Sequence, residues 1–349
     1  SPTVILAQKI RVATQRGLGV VLTGVLMGGG PCAWAARDHI QAGYPLWVTP
    51  DAARTFDDDP ARVTAMGATI VSEDEAAQID GRVIRLTMGD FDSQAINEAF
   101  AHFGVDLTSG LDGIAVAVFD HGNAPPHISD RLFRFEYIER CITSRNSLSS
   151  FAFSAENVPD IMTRMQAVAR TARAARPDVP VLVMDTAPAA VLGALEDPQV
   201  RHTRPAIVAN IGNFHCLAFR LGPTDHSDIA SGIEGVFEHH TGELTPAQLE
   251  AYLTQLAQGD LTHAEIFESN GHGAVMFARH TIPLNFLYIT GPRRNFLYGS
   301  SLNPYLATPC GDMMLAGSFG LVRAFVSIQP EWAEPIDATL RGQSGKSLW

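Results

Sequence analysis

The chain has 349 residues, of which 46% are hydrophobic and 18% charged, with a formal net charge of −12. This is a globular composition, long enough for more than one domain, and its acidic balance excludes a partner recognised through a nucleic-acid backbone, which would need clustered Lys and Arg. The longest apolar stretch, LGVVLTGVLMGGG at 18–30, is glycine-rich and short of the roughly 20 residues of a membrane span, and no charged-then-apolar leader opens the chain, so the expected setting is the cytoplasm.

Alternating helical and strand patterns run throughout and predict an α/β fold. In chain order they give a helix over 4–15, a strand over 20–27, the turn Gly28-Gly29-Gly30-Pro31, and a helix over 32–42. Strands follow at 44–50, 68–72 and 83–88, with a helix over 93–103 and a buried strand over 113–122 that ends on Asp120-His121. The segment 123–129 (NAPPHIS) is the predicted linker, 133–176 reads as largely helical, and the strand 179–185 ends on Asp185. Then come a helix over 188–195, the hairpin AIVANIGNFHCLAFRL at 206–221, a strand over 232–239, helices over 246–267, a strand over 284–290 and an apolar helix over 311–327. The expected domains are therefore 1–129, a connecting region 130–185, a second α/β domain 186–330 and a frayed tail 331–349.

Small residues end a strand in both halves, at TGVLMGGGP (23–31) and at TGPRR (290–294), which suggests two similar halves around a cleft. Gly345-Lys346-Ser347 lacks the first glycine of a phosphate loop, because Leu340 stands there, and it is assigned to the tail. The four cysteines, Cys32, Cys141, Cys216 and Cys310, are scattered, so neither a disulfide framework nor a CxxC metal site is expected, and a radical enzyme's cluster lacks its three closely spaced thiolates.

The centre of the hairpin, IGNFH, is the leading candidate site. Gly212 permits close backbone approach, and the amides of Asn213, Phe214 and His215 could face anionic oxygens. Gly28, Gly29 and Gly30 are its counterpart in the first half. Asp120 and Asp185, at strand ends where α/β sheets place chemistry, are candidate bases or Mg²⁺ ligands, and Arg293-Arg294 could pair with a phosphate. Asp57-Asp58-Asp59 reads as a solvated loop. In Glu238-His239-His240-Thr241-Gly242-Glu243, adjacent histidines on a strand point to opposite faces, so His239 and His240 cannot both meet one ion.

From Asp185 onward the order of elements resembles the second half of the actin-like ATPase superfamily, which includes sugar kinases, acetate kinases and the large heat-shock chaperones. MDTAPAAVLGAL (184–195) looks like the connecting helix, ANIGNFHCLAF (209–219) like the second phosphate hairpin, LYITGPRR (287–294) like the adenosine loop and GDMMLAGSFGLVRA (311–324) like the closing helix. The hairpin departs from the pattern, with Asn210 for its acidic residue and Asn213 for its second glycine, and Pro292 replaces a glycine of the adenosine loop. The stretches TGVLMGGGPCAWAARDHI, TPDAARTFDDD, VMDTAPAAVLGAL, VANIGNFHCLAFRLG, GVFEHHTGEL and PCGDMMLAGSFGL more closely resemble an uncharacterised family labelled pyruvate formate-lyase activating enzyme, a label whose radical chemistry lacks its cysteines here. Members of that family begin with a further strand pair bearing an Asp-Ile-Gly-like first phosphate turn, and this chain begins at Ser1 after where that pair would end.

The resemblances imply two RNase H-like domains around a cleft, the first short of its N-terminal strands, with an exposed sheet edge at 20–27 that would pair with another chain. They also imply ATP and Mg²⁺ as cofactors, with Asn210 and Gly212 to His215 on the phosphates and Thr290, Gly291, Pro292 and Arg293 near the base or sugar. A nucleotide- or phosphate-binding protein is then expected, acting as a small-molecule kinase or ATPase if it is a catalyst, on a nucleotide or phosphorylated small molecule. Two alternatives stand beside it: a metal-dependent hydrolase centred on His121, His215, His239 and Asp312, and a non-catalytic scaffold.

Overall fold

The computed structural model describes residues 2–224 and 228–342, so Gly345-Lys346-Ser347 lies outside the described residues. The protein is mixed α/β, and it divides into two compact units, one of residues 1–114 and 159–180, the other of 115–158 and 181–349. Among the described residues no helix is long and apolar enough to cross a membrane.

The first unit opens with α1 (Pro2–Gln15), β1 (Gly19–Gly24), α2 (Gly30–Gln41), β2 (Leu46–Val48), α3 (Pro50–Ala53), α4 (Pro60–Ala65), β3 (Thr69–Ile70), α5 (Glu73–Gln78), β4 (Val83–Met88) and α6 (Ser93–Ala101). Its four strands are all parallel, in the order β3-β2-β1-β4. Val20, Val21 and Leu22 are fully buried, as expected for a strand covered on both faces. Val20 and Leu22 pack with Ile10 of α1 and Ala36 of α2.

The chain then enters the second unit through β5 (Ile114–Ala117), α7 (Asp130–Ser144) and β6 (Ala152–Ser154), returns to the first for α8 (Thr163–Ala175), and stays in the second from β7 (Val181–Met184) onward. There follow α9 (Thr186–Ala194), α10 (Pro198–Arg201), β8 (Ala206–Ile211), β9 (His215–Leu221), β10 (Ile233–His240), α11 (Pro246–Gln258), α12 (His263–Glu268), β11 (Gly273–Met276), β12 (Leu287–Thr290), β13 (Tyr305–Leu306), α13 (Ala316–Ala324) and α14 (Ala333–Leu340). A three-stranded sheet has the order β5-β7-β6, and a six-stranded sheet the order β11-β10-β9-β8-β12-β13. In the larger sheet β8 to β11 are antiparallel neighbours, while β12 and β13 run parallel to β8. One of its faces, with Ile207, Ala209 and Ala218, packs on Leu249, Leu253 and Leu256 of α11.

Four expectations are corrected. The expected exposed edge at 20–27 is not there, because β1 is paired on both sides, by β2 and by β4; βαβ crossovers place both neighbours. The segment 133–176 is not one helical region, because β6 pairs antiparallel with β7 between two helices. The units divide at 114/115 rather than in the 123–129 segment. The tail is helical over Ala333–Leu340, where Asp337 meets Arg201, Arg323 and Arg341 at 3.2, 2.9 and 2.6 Å. The short strands β11 and β13 have too little periodicity to be read from the sequence.

Helices α9 and α13 approach until backbone touches backbone. A Cβ on Gly193 would lie 1.7 Å from the carbonyl oxygen of Ala316, and one on Gly320 would lie 1.9 Å from that of Ala189. Neither neighbour can yield, so Gly320→Ala must push the helices apart, and a loss of about 3 kcal/mol is expected from overpacking of this kind. Urea unfolding of the full chain checks it, and an unchanged midpoint would contradict the contact. In the first unit the His39 ring is buried between Thr14 Oγ1 at 2.8 Å and the carbonyl of Pro45 at 3.2 Å. Burial pushes its pKa down against the opposing pull of the Pro45 hydrogen bond. The ring thus stays neutral in the fold and protonates when released, so its stabilising effect is complete above about pH 6.5 and declines as the pH falls below that value. The fall in unfolding midpoint between pH 7.5 and 5.5 should be smaller in His39→Gln than in the wild type.

Candidate metal centre

The chemistry of the second unit converges on four histidines. His121, His215, His240 and His272 each offer a ring nitrogen, and these donor atoms all lie within 4.8 Å of one another. Four nitrogens placed tetrahedrally around an ion at 2.0–2.1 Å would be about 3.3 Å apart, so a modest contraction completes such a shell. His272 is buried and the other three are half-buried.

Each histidine is placed by a different backbone device. His215 opens β9 and His240 closes β10, and the two are direct cross-strand partners, which puts both side chains on one face of the sheet. His239, one residue earlier, faces the other way, with its ring nitrogens held by Ser269 Oγ at 3.1 Å and the carbonyl of His240 at 3.0 Å. The alternation read from the sequence therefore separates the pair: His240 joins the cluster and His239 is a core residue. His272 precedes β11 in the sequence Gly271-His272-Gly273, where Gly273 has φ +153° and a Cβ would meet the His263 ring at 2.4 Å and Phe135 at 2.7 Å. Only glycine fits there, and the departure from regular strand geometry carries His272 into the group. His121 follows β5, and the Phe119 ring packs beside both histidines, stacked on His215 at 4.0 Å and edge-on to His121 at 4.8 Å.

The protonation of the rings suits ligation. His240 Nδ1 lies 2.8 Å from the carbonyl oxygen of Asn270, and since a carbonyl only accepts, Nδ1 carries the proton and Nε2 keeps its lone pair for the cluster. His215 Nε2 and both ring nitrogens of His272 are buried without a hydrogen-bond partner, an expensive arrangement unless something else engages them. Burial, with the neighbouring imidazoles, pushes His215 down to about 2 and His272 lower still, so both rings are neutral donors.

Beneath the histidines lies a buried ion triad. Arg134 of α7 is fully buried and donates through Nε and Nη2 to the two carboxylate oxygens of Glu238, each at 3.1 Å. Its Nη1 donates to Asp185 and, at 3.1 Å, to the carbonyl of Asp120. The guanidinium lies 4.5 Å from the centre of the Phe119 ring. Two carboxylates face one guanidinium in a dry interior, where an ionised carboxylate is stabilised by an adjacent cation. Burial pushes Glu238 up, but Arg134 foremost and the nearby histidines bring it below the ordinary carboxylate range. For Asp185 burial prevails over Arg134 and the pKa is raised. Glu238 Oε2 is 3.9 Å from His272 Nδ1.

The other sequence-predicted residues fall elsewhere. Asp185 is fully buried, committed to Arg134, and caps α9; it is not free to act as a base or to hold Mg²⁺. Asp120 is 5% exposed and accepts from the amide of Gly122 at 2.8 Å. Asp312 is exposed and caps a short helical turn at Met314, so the predicted set of His121, His215, His239 and Asp312 keeps only its first two members. Gly28 to Gly30 belong to the first unit, where the amide of Gly28 donates to Asp90, itself paired with Arg164 at 2.7 Å. The segments IGNFH and TGPRR meet at one end of the larger sheet. Asn210 pairs in register with Thr290, and the amide of Arg293 donates to the carbonyl of Ile211 at 3.0 Å. Gly291 at φ +102° leaves its Cβ position 2.5 Å from that carbonyl and 2.7 Å from Asn210 Oδ1. The Gly212 amide is already bonded to the carbonyl of His215 at 2.9 Å, Asn213, Phe214, Pro292 and Arg293 are exposed, and the Thr290 hydroxyl is buried without a partner.

Removing one member of a buried charge group leaves the others uncompensated, so Arg134→Met should destabilise the full chain by about 3–5 kcal/mol. Chemical unfolding measures this, and a loss below about 1 kcal/mol, the scale of a surface pair, would show that the triad is not buried in solution.

One family model matches residues 27–296, a span that includes all four clustered histidines and the triad. No curated protein and no solved structure matches the chain. The matched span is well over half of the 349 residues, and the chain therefore belongs to the family described as "Putative pyruvate format-lyase activating enzyme (DUF1786)".

Proposed function

We propose that this protein is a metal-dependent hydrolase whose ion is held by His121, His215, His240 and His272. The observation that carries the reading is the convergence of four imidazoles, three of whose buried nitrogens have no other partner, beside a buried triad of two carboxylates on one guanidinium. An all-imidazole donor set suits Zn²⁺, Cu²⁺, Ni²⁺ or Fe²⁺ and is a poor match for Mg²⁺ or Ca²⁺, which take oxygen ligands. Four ring nitrogens fill a tetrahedral shell, so hydrolysis would require the ion to accept a fifth ligand or one histidine to stand off; the ion would then supply Lewis acidity to a carbonyl or phosphoryl oxygen and activate water. The chain's own residues orient the rings: Asn270 fixes the tautomer of His240, and Phe119 holds His215 and His121 in position.

The family label receives no support from the thiols. Burial pushes Cys141 up to about 11 and Cys216 to about 12, and cluster chemistry needs closely spaced thiolates.

A second reading is favoured by one observation. The strand order β10-β9-β8-β12-β13, three antiparallel strands followed by two parallel to the first, supports an RNase H-like second unit, in which the meeting of IGNFH with TGPRR forms a phosphate-binding end. On this reading ATP with Mg²⁺ or a phosphorylated small molecule binds at Asn210, Gly212 and Thr290 to Arg293.

Two measurements test these readings. Chelator-treated protein should take up one equivalent of Zn²⁺, and a His240→Ala/His272→Ala double variant should take up none while keeping its circular dichroism spectrum; wild-type protein without uptake would refute the metal centre. For the second reading, equilibrium dialysis with ATP and Mg²⁺ should show binding that Gly212→Val abolishes, since a side chain there would lie 2.7 Å from the carbonyl of His215. Equal retention by both proteins would remove the hairpin from the site.

A further inference from the structure

Glu238 and His240 are two residues apart on β10 and so share the face that carries the cluster. The main chain ties the same region together, since the amide of His272 donates to the carbonyl of Glu238 at 2.9 Å. The side chains nearly meet as well, with Glu238 Oε2 at 3.9 Å from His272 Nδ1. Arg134 already donates to that oxygen, but a carboxylate oxygen accepts two hydrogen bonds. His272 Nδ1 is buried with no other acceptor.

We infer that Glu238 is the positioning residue of the metal centre: it accepts the Nδ1 proton of His272, so that His272 presents Nε2 to the ion. This inference rests on the metal-centre reading above and assigns the device that sets its geometry. A ligand histidine almost always gives its second nitrogen to a carboxylate or carbonyl, which fixes the ring and raises its basicity. His240 shows this arrangement already, through Asn270. For His272 a closure of about 1 Å brings the pair into hydrogen-bond range. Glu238 cannot rotate away to avoid it, because both of its oxygens are held by Arg134, whose remaining nitrogen is held by Asp185 and the carbonyl of Asp120. The result is a buried chain Asp185, Arg134, Glu238, His272, in which the negative charge of Glu238 lies one imidazole away from the ion. Arg134 also faces the Phe119 ring that stacks on His215, so one guanidinium orients two of the four rings.

The test uses the full chain, freed of metal by chelation and then loaded with Zn²⁺ or Co²⁺. Long-range ¹H–¹⁵N spectra of the Zn²⁺-loaded wild type should show His272 protonated at Nδ1 and metal-bound at Nε2. Glu238→Gln should lower Zn²⁺ affinity about 10–100-fold and shift the Co²⁺ ligand-field bands, whereas Glu238→Asp, which keeps the charge, should recover part of the loss. A purely structural role for Glu238 would lower the melting temperature of the metal-free protein and leave the bands in place, and that result overturns the inference. So does a His272 bound through Nδ1. If Glu238→Gln does not fold, the wild-type tautomer decides alone. A wild type that takes up no Zn²⁺ refutes the metal centre itself, whereas uptake with the opposite tautomer refutes only the role of Glu238.

Discussion

The interior of the second unit is organised around one buried charge. A guanidinium with no exposure is tolerable only when each of its donors finds an acceptor and its charge finds a counter-ion. Arg134 meets both needs by drawing on distant parts of the chain: Glu238 on β10, Asp185 at the start of α9, and the backbone at Asp120. Two of these segments lie next to a residue of the candidate site, and a ring packed on the guanidinium reaches a third. Asp120 precedes His121, Glu238 precedes His240 by two positions, and the Phe119 ring beneath the guanidinium supports His215. The requirement to neutralise Arg134 therefore also brings the histidines together.

Close packing of main chain does the rest. His272 reaches the cluster because Gly271 and Gly273 let the backbone run against Ile266, His263 and Phe135 where any side chain would collide. The crossing of α9 and α13 at Gly193 and Gly320 uses the same freedom on a larger scale, and it holds in place the helix whose first turn Asp185 caps. Small residues thus set how near the elements can come, and the ion triad sets which ends of those elements meet.

The site that results differs in chemistry from a phosphate-binding hairpin, although the two share His215. Its donors are imidazole nitrogens, with the Glu238 carboxylate behind them. The hairpin end of the same sheet presents backbone, Asn210 and an exposed arginine instead. One end of a single sheet thus carries both an imidazole cluster and a polar turn.

The sequence by itself determined the α/β class, the apolar strands of both units, most helices, and the opposite facing of His239 and His240. Each of these follows from local periodicity, which is fixed by backbone geometry. It also marked Gly212, Gly291, His121 and His215 as residues of interest. Only the tertiary structure decided that His240 and His272 join the cluster, that Asp185 is buried against Arg134, and that β1 lies inside its sheet. Those outcomes depend on pairings between positions as far apart as 134 and 238 and on a glycine conformation at 273. The signal that could have pointed to His272 was its flanking pair of glycines. No local pattern encodes which distant carboxylate a buried arginine will find, because that choice is made by the packing of the whole unit.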